Sequence, residues 1–166
     1  DIAYTMRLDF LSAAHQHEKT VNLNGKNINV KIPAGTTDGQ TLRLKGLGQP
    51  SPNGGSAGDV LITLNVDRHP YFTAEGANIL MELPITMKEA VLGAKVTVPT
   101  ITGNVIVNIP PYASSGEKLR LKGKGIKTKS TAGDEIITLK IISPKTANAE
   151  LEKALQTMPD EKVRSF

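Results

Sequence analysis

Ile32-Pro33-Ala34-Gly35-Thr36-Thr37-Asp38-Gly39-Gln40-Thr41-Leu42-Arg43-Leu44-Lys45-Gly46-Leu47-Gly48 returns 77 residues later as Ile109-Pro110-Pro111-Tyr112-Ala113-Ser114-Ser115-Gly116-Glu117-Lys118-Leu119-Arg120-Leu121-Lys122-Gly123-Lys124-Gly125. The segment Leu-Arg-Leu-Lys-Gly-x-Gly is identical in both copies. Each copy then reaches a Gly-Asp pair, Gly58-Asp59 or Gly133-Asp134, and an alternating apolar run ending near Val66 or Ile141. Self-similarity at a fixed period marks a repeated structural unit. The chain therefore reads as two copies of one unit of about 75 residues. Pro after Ile marks a strand exit, because Pro cannot donate to a ladder. The glycine pairs point to positive φ or to close backbone approach at a hairpin end. Asp59 and Asp134 share a role by repetition, and an Asp in this setting bonds neighbouring backbone N–H groups.

Working outward, Val, Ile and Thr supply 40 of 166 residues, in short alternating runs such as Ile28–Ile32, Val60–Val66 and Val105–Ile109. Alternation of this kind is the strand signature. Gln49 to Gly58 is polar and glycine-rich, and reads as a surface loop. Three stretches read as helical: Phe10 to Gln16, Thr86 to Leu92, and Ala147 to Met158 stopped by Pro159. Thr86 with Glu89 makes a capping box. Leu151, Ala154, Leu155 and Met158 form one apolar stripe at helical spacing. The expected fold is mainly β: two tandem homologous β-sandwich or barrel-like domains, each with a short helix, then a C-terminal helix. The expected ranges are 1–76, 77–145 and 146–166.

Composition excludes several chemistries. There is no Cys, so disulfides, thiolate metal sites and cysteine nucleophiles are out. No run of 18 apolar residues is present, so no transmembrane helix is expected and no membrane partner. No signal segment opens the chain, and a reducing cytoplasm is the default expectation. The start at Asp1 suggests a piece of a longer protein. The histidines His15, His17 and His69 lack ligand spacing, so no metal or other cofactor is expected. No nucleophile–base pair or paired carboxylates stand out. The chain reads as a binding module, not an enzyme.

Net charge is +4, and residues 81–166 hold all the excess. Lys118, Arg120, Lys122, Lys124, Lys127 and Lys129 fall within twelve residues that contain no acid. Lys at alternate strand positions guards an exposed sheet edge. The same stripe also attracts nucleic acid or an acidic tail. Few aromatics accompany it, so stacking on single strands is not expected.

With its motifs in view, the chain resembles the two C-terminal β-domains of the DnaJ-type co-chaperones. The likeness is carried by Val30-Lys31-Ile32-Pro33-Ala34-Gly35, Asp38-Gly39-Gln40, Leu42 to Gly48, Gly58-Asp59, His69-Pro70-Tyr71-Phe72, Glu89 to Gly93, Val98-Pro99-Thr100 and Gly133-Asp134. It runs from about residue 2 to residue 145. The J domain and the Cys-rich zinc module are absent from this chain, which is therefore similar to the zinc-free class, including its DNA-binding bacterial members. Gly93 has no counterpart in the first copy, where Gln16-His17 stand.

The resemblance implies a co-chaperone that holds unfolded polypeptide in a shallow apolar groove and delivers it to a DnaK-type chaperone. By position, Tyr4, Met6, Val21, Leu23 and Phe72 would line that groove. Lys19 would flank it and meet the partner chaperone's acidic tail. The C-terminal helix would make a homodimer through Leu151, Leu155 and Met158, or pack within its own chain. Without a J domain, no ATPase stimulation is expected. By period two, Tyr4, Met6 and Leu8 share one strand face, and Val21 and Leu23 share another. Alternation does not separate a groove face from a core face, so Leu8 and Leu23 read equally as core. For Tyr4 and Phe72, beside a turn, exposure is expected. The competing expectation is a nucleoid-associated module that binds duplex DNA through residues 118–129.

Overall fold

In the computed structural model, which describes residues 1–23, 25–49 and 54–166, both copies fold around a parallel pairing of their first and last strands. In the first unit, β1 (Ile2–Leu8) leads into α1 (Phe10–Ala14), followed by β2 (His17–Leu23), β3 (Lys26–Ile32), β4 (Gln40–Leu44) and β5 (Val60–Val66). β1 runs parallel to β5, and β4 runs antiparallel to it, giving a sheet ordered β1-β5-β4. β2 and β3 form a separate hairpin. Leu8, Val60, Ile62 and Leu64 from the sheet meet Leu23, Val30 and Ile32 from the hairpin, with Ala13 of α1, in one buried cluster. The result is an open two-layer sandwich, and among the described residues no sheet closes into a barrel. Its core is aliphatic.

The second unit repeats this order with β7 (Asn78–Thr86), α2 (Met87–Leu92), β8 (Ala94–Thr100), β9 (Gly103–Ile109), β10 (Lys118–Leu121) and β11 (Glu135–Ile142). One strand has no counterpart: β6 (Thr73–Glu75) pairs with β7 and extends the sheet to β10-β11-β7-β6. The second sheet therefore begins at Thr73, ahead of the expected boundary at residue 77. Of the loop expected from Gln49 to Gly58, residues 50–53 lie outside the described residues. Its ends are clasped by Gly48 N–H to Gly58 O (2.8 Å) and Gly58 N–H to Gln49 O (3.1 Å).

The identical repeat motif is a lock. Asp59 accepts from the Arg43 guanidinium at 2.7 Å and from the Gly46 N–H at 3.1 Å. Asp134 does the same with Arg120 at 2.6 Å and Gly123 at 2.8 Å. Gly46 and Gly123 both sit at φ +74°, the left-handed turn that glycine adopts without strain. The second glycine of each pair serves close approach instead. A Cβ on Gly48 would lie 2.7 Å from the Gly58 backbone, and one on Gly125 would lie 2.5 Å from that of Gly133. The acids are thus structural, as the repetition implied.

The helices follow their caps. The Thr86 hydroxyl accepts from Glu89 N–H (3.0 Å), and the Glu89 carboxylate accepts from Thr86 N–H (2.9 Å), completing the capping box. Asp9 caps α1 through Ser12 N–H at 2.7 Å. α2 ends at Gly93, φ +75°. α1 ends earlier, at His15 in an extended conformation, so the first copy needs no glycine there. His15 Nε2–H donates to Ile101 O of the second unit at 2.8 Å, a structural role. The last helix, α3 (Ala149–Thr157), is capped by Asn148 and buries none of its residues.

Glu135 opens β11 in the inward phase and is fully buried, where the first copy has Val60. Its carboxylate oxygens have no hydrogen-bond partner among the described residues. Burial pushes its pKa up to about 7. The backbone N–H of Gly46 or Gly123, and then the paired arginine, hold the Asp59 and Asp134 carboxyls below their ordinary value. The two effects have opposite signs. The aspartates stabilise the fold above the unfolded carboxylate pKa, and that contribution is lost as pH falls through their lowered values. Glu135 keeps its proton in the folded state up to about 7, whereas the unfolded chain releases it near 4.5, so its effect is a loss of stability as pH rises between those values. Glu135→Gln should therefore unfold several degrees above the parent at pH 8 and no higher at pH 4, read by calorimetry. An equal shift at both pH values would show that the charge is not the cause.

Candidate functional site

β1 lies at a free sheet edge, and β2 lies at the free edge of its hairpin. Between them is a cavity of about 210 Å³, lined by Tyr4 and Met6 of β1, Val21 and Leu23 of β2, and Ile62 of β5, with Thr5 and Asn22 at the sides. Small-molecule sites occupy roughly 300–1,000 Å³. This cavity suits one apolar side chain better than a cofactor. Tyr4, Met6 and Val21 are half-buried, so their faces remain available, while Leu23 is buried and forms the floor. Leu8, on the same face as Tyr4 and Met6, is core at 1% exposure. Lys19 is half-buried and shares the Val21 face of β2 by period two. It also lies close enough to Asp9 to contribute to that carboxyl's lowered pKa, behind the two bonds from Ser12.

The sequence reading of four groove residues thus converges on one place, and that of the fifth does not. Phe72 is not exposed and does not line this cavity. It is 4% exposed and belongs to the second unit's core with Met81, Leu83 and Val98. Its ring stacks on His69 at 4.6 Å and lies 6.2 Å from Phe10. His69 Nδ1 accepts from the N–H groups of Tyr71 (3.2 Å) and Phe72 (3.3 Å), which holds the turn that aims Phe72 inward. The physical reason is the early crossing: by Thr73 the chain is already pairing with β7, so the residue before it faces the second core. Ile62 is the residue that sequence missed. It sits opposite Tyr4 across the parallel β1–β5 ladder, and nothing local signals that pairing.

The repeat explains why the groove belongs to one unit. The counterparts of Tyr4, Met6, Val21 and Leu23 are Met81, Leu83, Val98 and Thr100, all buried at 8%, 6%, 0% and 6% exposure. Phe72 shares their cluster, and β6 occupies part of the edge that β1 leaves free. What remains there is a wider surface groove of about 970 Å³ walled by His69, Tyr71, Met81, Glu82 and Pro99.

The basic row lies at the other end of the second sheet. β10 is an edge strand, and Lys118, Arg120 and Lys122 are exposed. Arg120 is committed to Asp134. Lys122, Lys124, Lys127 and Lys129 form no ion pair among the described residues. Leu155 of α3 and Met158, which caps its C-terminus, are about half exposed, while Leu151 lines a cavity of about 620 Å³ with Val91 and Leu92 of α2. No cluster of His, Asp and Glu able to hold a metal occurs among the described residues, and no helix is long and apolar enough to cross a membrane.

Comparison with known proteins settles the family. The description of the DnaJ C terminal domain matches residues 2–144. This chain belongs to the DnaJ C-terminal domain family. It is 42% identical over 135 residues to the curved DNA-binding proteins of Escherichia coli (strain K12 / DH10B), Escherichia coli O9:H4 (strain HS) and Shigella boydii serotype 18, covering 81% of this chain. The chain spans 44% of the length of those relatives. The family is one of co-chaperones.

Since Phe72 anchors the second core, Phe72→Ser should act on stability. A loss of roughly 3–5 kcal/mol is the expected scale for removing a buried Phe. Denaturant unfolding should show it as a lowered midpoint, and an unchanged midpoint would place Phe72 outside the core.

Proposed function

We propose that the first unit binds unfolded or non-native polypeptide, one apolar side chain at a time, in the groove between β1 and β2. The observation that carries this reading is the convergence of Tyr4, Met6, Val21 and Leu23 on one open apolar cavity flanked by two unpaired strand edges. An extended client adds along such an edge by main-chain hydrogen bonds, which are indifferent to sequence. The flexible, polarisable side chain of Met6 suits a site that accepts varied side chains. Burying one client Leu or Phe is worth roughly 1.5–3 kcal/mol. Association costs at least about 4 kcal/mol, more than one anchor returns, so main-chain bonds along the strand edge must add to it and binding per groove is weak. Lys19, beside the groove, meets the acidic tail of a DnaK-type chaperone that takes over the client. The exposed Leu155 and Met158 of α3 bring two copies together, and two grooves on one client raise avidity without new contacts. This role belongs in the bacterial cytoplasm, with no membrane partner.

A second reading, duplex DNA binding through Lys118 to Lys129, is favoured by the unpaired lysines of that row and by the name of the relatives. It places the chain near the nucleoid, and the two roles are compatible in one protein.

Binding of a fluorescent unfolded client separates them. Met6→Ser and Val21→Ser should each weaken client binding about tenfold, the scale of 1.4 kcal/mol, with little dependence on salt; both side chains also pack on the first core, so affinity is compared under conditions where each variant is fully folded. Undiminished binding in both variants would rule the groove out. Leu155→Glu combined with Met158→Glu should yield monomers in sedimentation. The same pair should weaken binding of a long client and leave a short peptide untouched.

A further inference from the structure

Lys31 of β3 and Lys129 of the second unit line the same cleft, a space of about 270 Å³ at the junction of the two units. Its other walls are Gln16, Pro33, Ala34 and Thr128. The polar side chains there are two ammonium groups, an amide and a hydroxyl, and no carboxylate is among them. Neither lysine makes an ion pair among the described residues, although Glu18 stands opposite Lys31 across the β2–β3 ladder. Two unpaired cations sharing one cleft repel each other, and an oxyanion between them removes that cost. Lys129 closes the sequence row of Lys122, Lys124 and Lys127, and in this cleft it shares a wall with a lysine of the first unit. A line of separated positive charges matches a polymer with regularly spaced negative charge better than it matches a single carboxylate.

We propose that Lys31 and Lys129 clasp the phosphate backbone of duplex DNA across the junction between the two units. The inference rests on the DNA-binding reading and adds the first unit to the contact surface, through a residue outside the 118–129 row. The contacts are to phosphate, so they position the duplex and carry no base preference.

The test is duplex binding by the full chain, from about 50 to about 200 mM salt. Lys31→Gln, Lys129→Gln and the double variant are compared with the parent and with Lys122→Gln/Lys124→Gln. All these side chains are at the surface, and unfolded-client binding serves as the control for folding. Each cleft lysine should carry about 0.9 of the slope of log K against log salt, so the double variant should lose about 1.8 and weaken equally on all sequences. Client binding should not change. If the parent binds DNA steeply with salt and the double variant keeps the full slope, the DNA reading stands and the clasp is wrong. If the parent shows no salt-dependent duplex binding, both fall together. If poly-glutamate binds the parent, duplex does not, and the double variant loses the peptide, the cleft serves an acidic peptide and the proposal is overturned.

Discussion

In each unit one aspartate holds three pieces of chain at once. Its carboxylate accepts a backbone N–H from the turn after the fourth strand of the unit and a guanidinium from that strand, while its own residue leads into the strand at the sheet's centre. The second glycine of that turn, Gly48 or Gly125, lets the backbone before the aspartate approach to a distance that no Cβ permits. With this corner closed, the central strand receives its antiparallel neighbour on one side and the parallel first strand on the other. The bond lies at the surface, where an ion pair alone adds little stability. Its weight comes from geometry: a misplaced turn would shift the register of the central strand, and a one-residue slip would turn the buried face outward.

The proposed function rests on where the repeat is broken. Two identical sandwiches would present two identical grooves. Here the connection between the units is consumed by the second one, as β6 pairs along β7 and Phe72 enters the core. The first unit has no such occupant, so its counterpart surface stays open at the β1 and β2 edges. An exposed strand edge is ordinarily a liability. In the role proposed above, the same edge would offer main-chain pairing to an extended client.

The junction between units is held by small and aromatic groups rather than by a broad apolar face. Phe10 and Ala14 of the first unit pack on the second core, and His15 bonds the carbonyl of Ile101. His69 organises the linker by accepting two backbone N–H groups. Histidines that offered no metal-ligand spacing in the sequence turn out to order backbone at the place where the two units meet.

The amino-acid sequence by itself determined the repeat, the strand alternation, the capped α2, the structural role of Asp59 and Asp134 and the family. Each of these is written in local periodicity, in hydrogen bonds spanning a few residues, or in a motif that recurs intact. It also placed Tyr4, Met6, Val21 and Leu23 together, through the resemblance rather than through spacing. Only the tertiary structure decided that Phe72 is core, that Ile62 lines the cavity with Tyr4 and Val21, that Glu135 is buried without a hydrogen-bond partner among the described residues, and that Lys31 and Lys129 line one cleft. Each of those facts depends on a contact between distant parts of the chain or on which face of a strand is covered. Alternation states that one face differs from the other, and the packing of the second layer decides which of the two is filled.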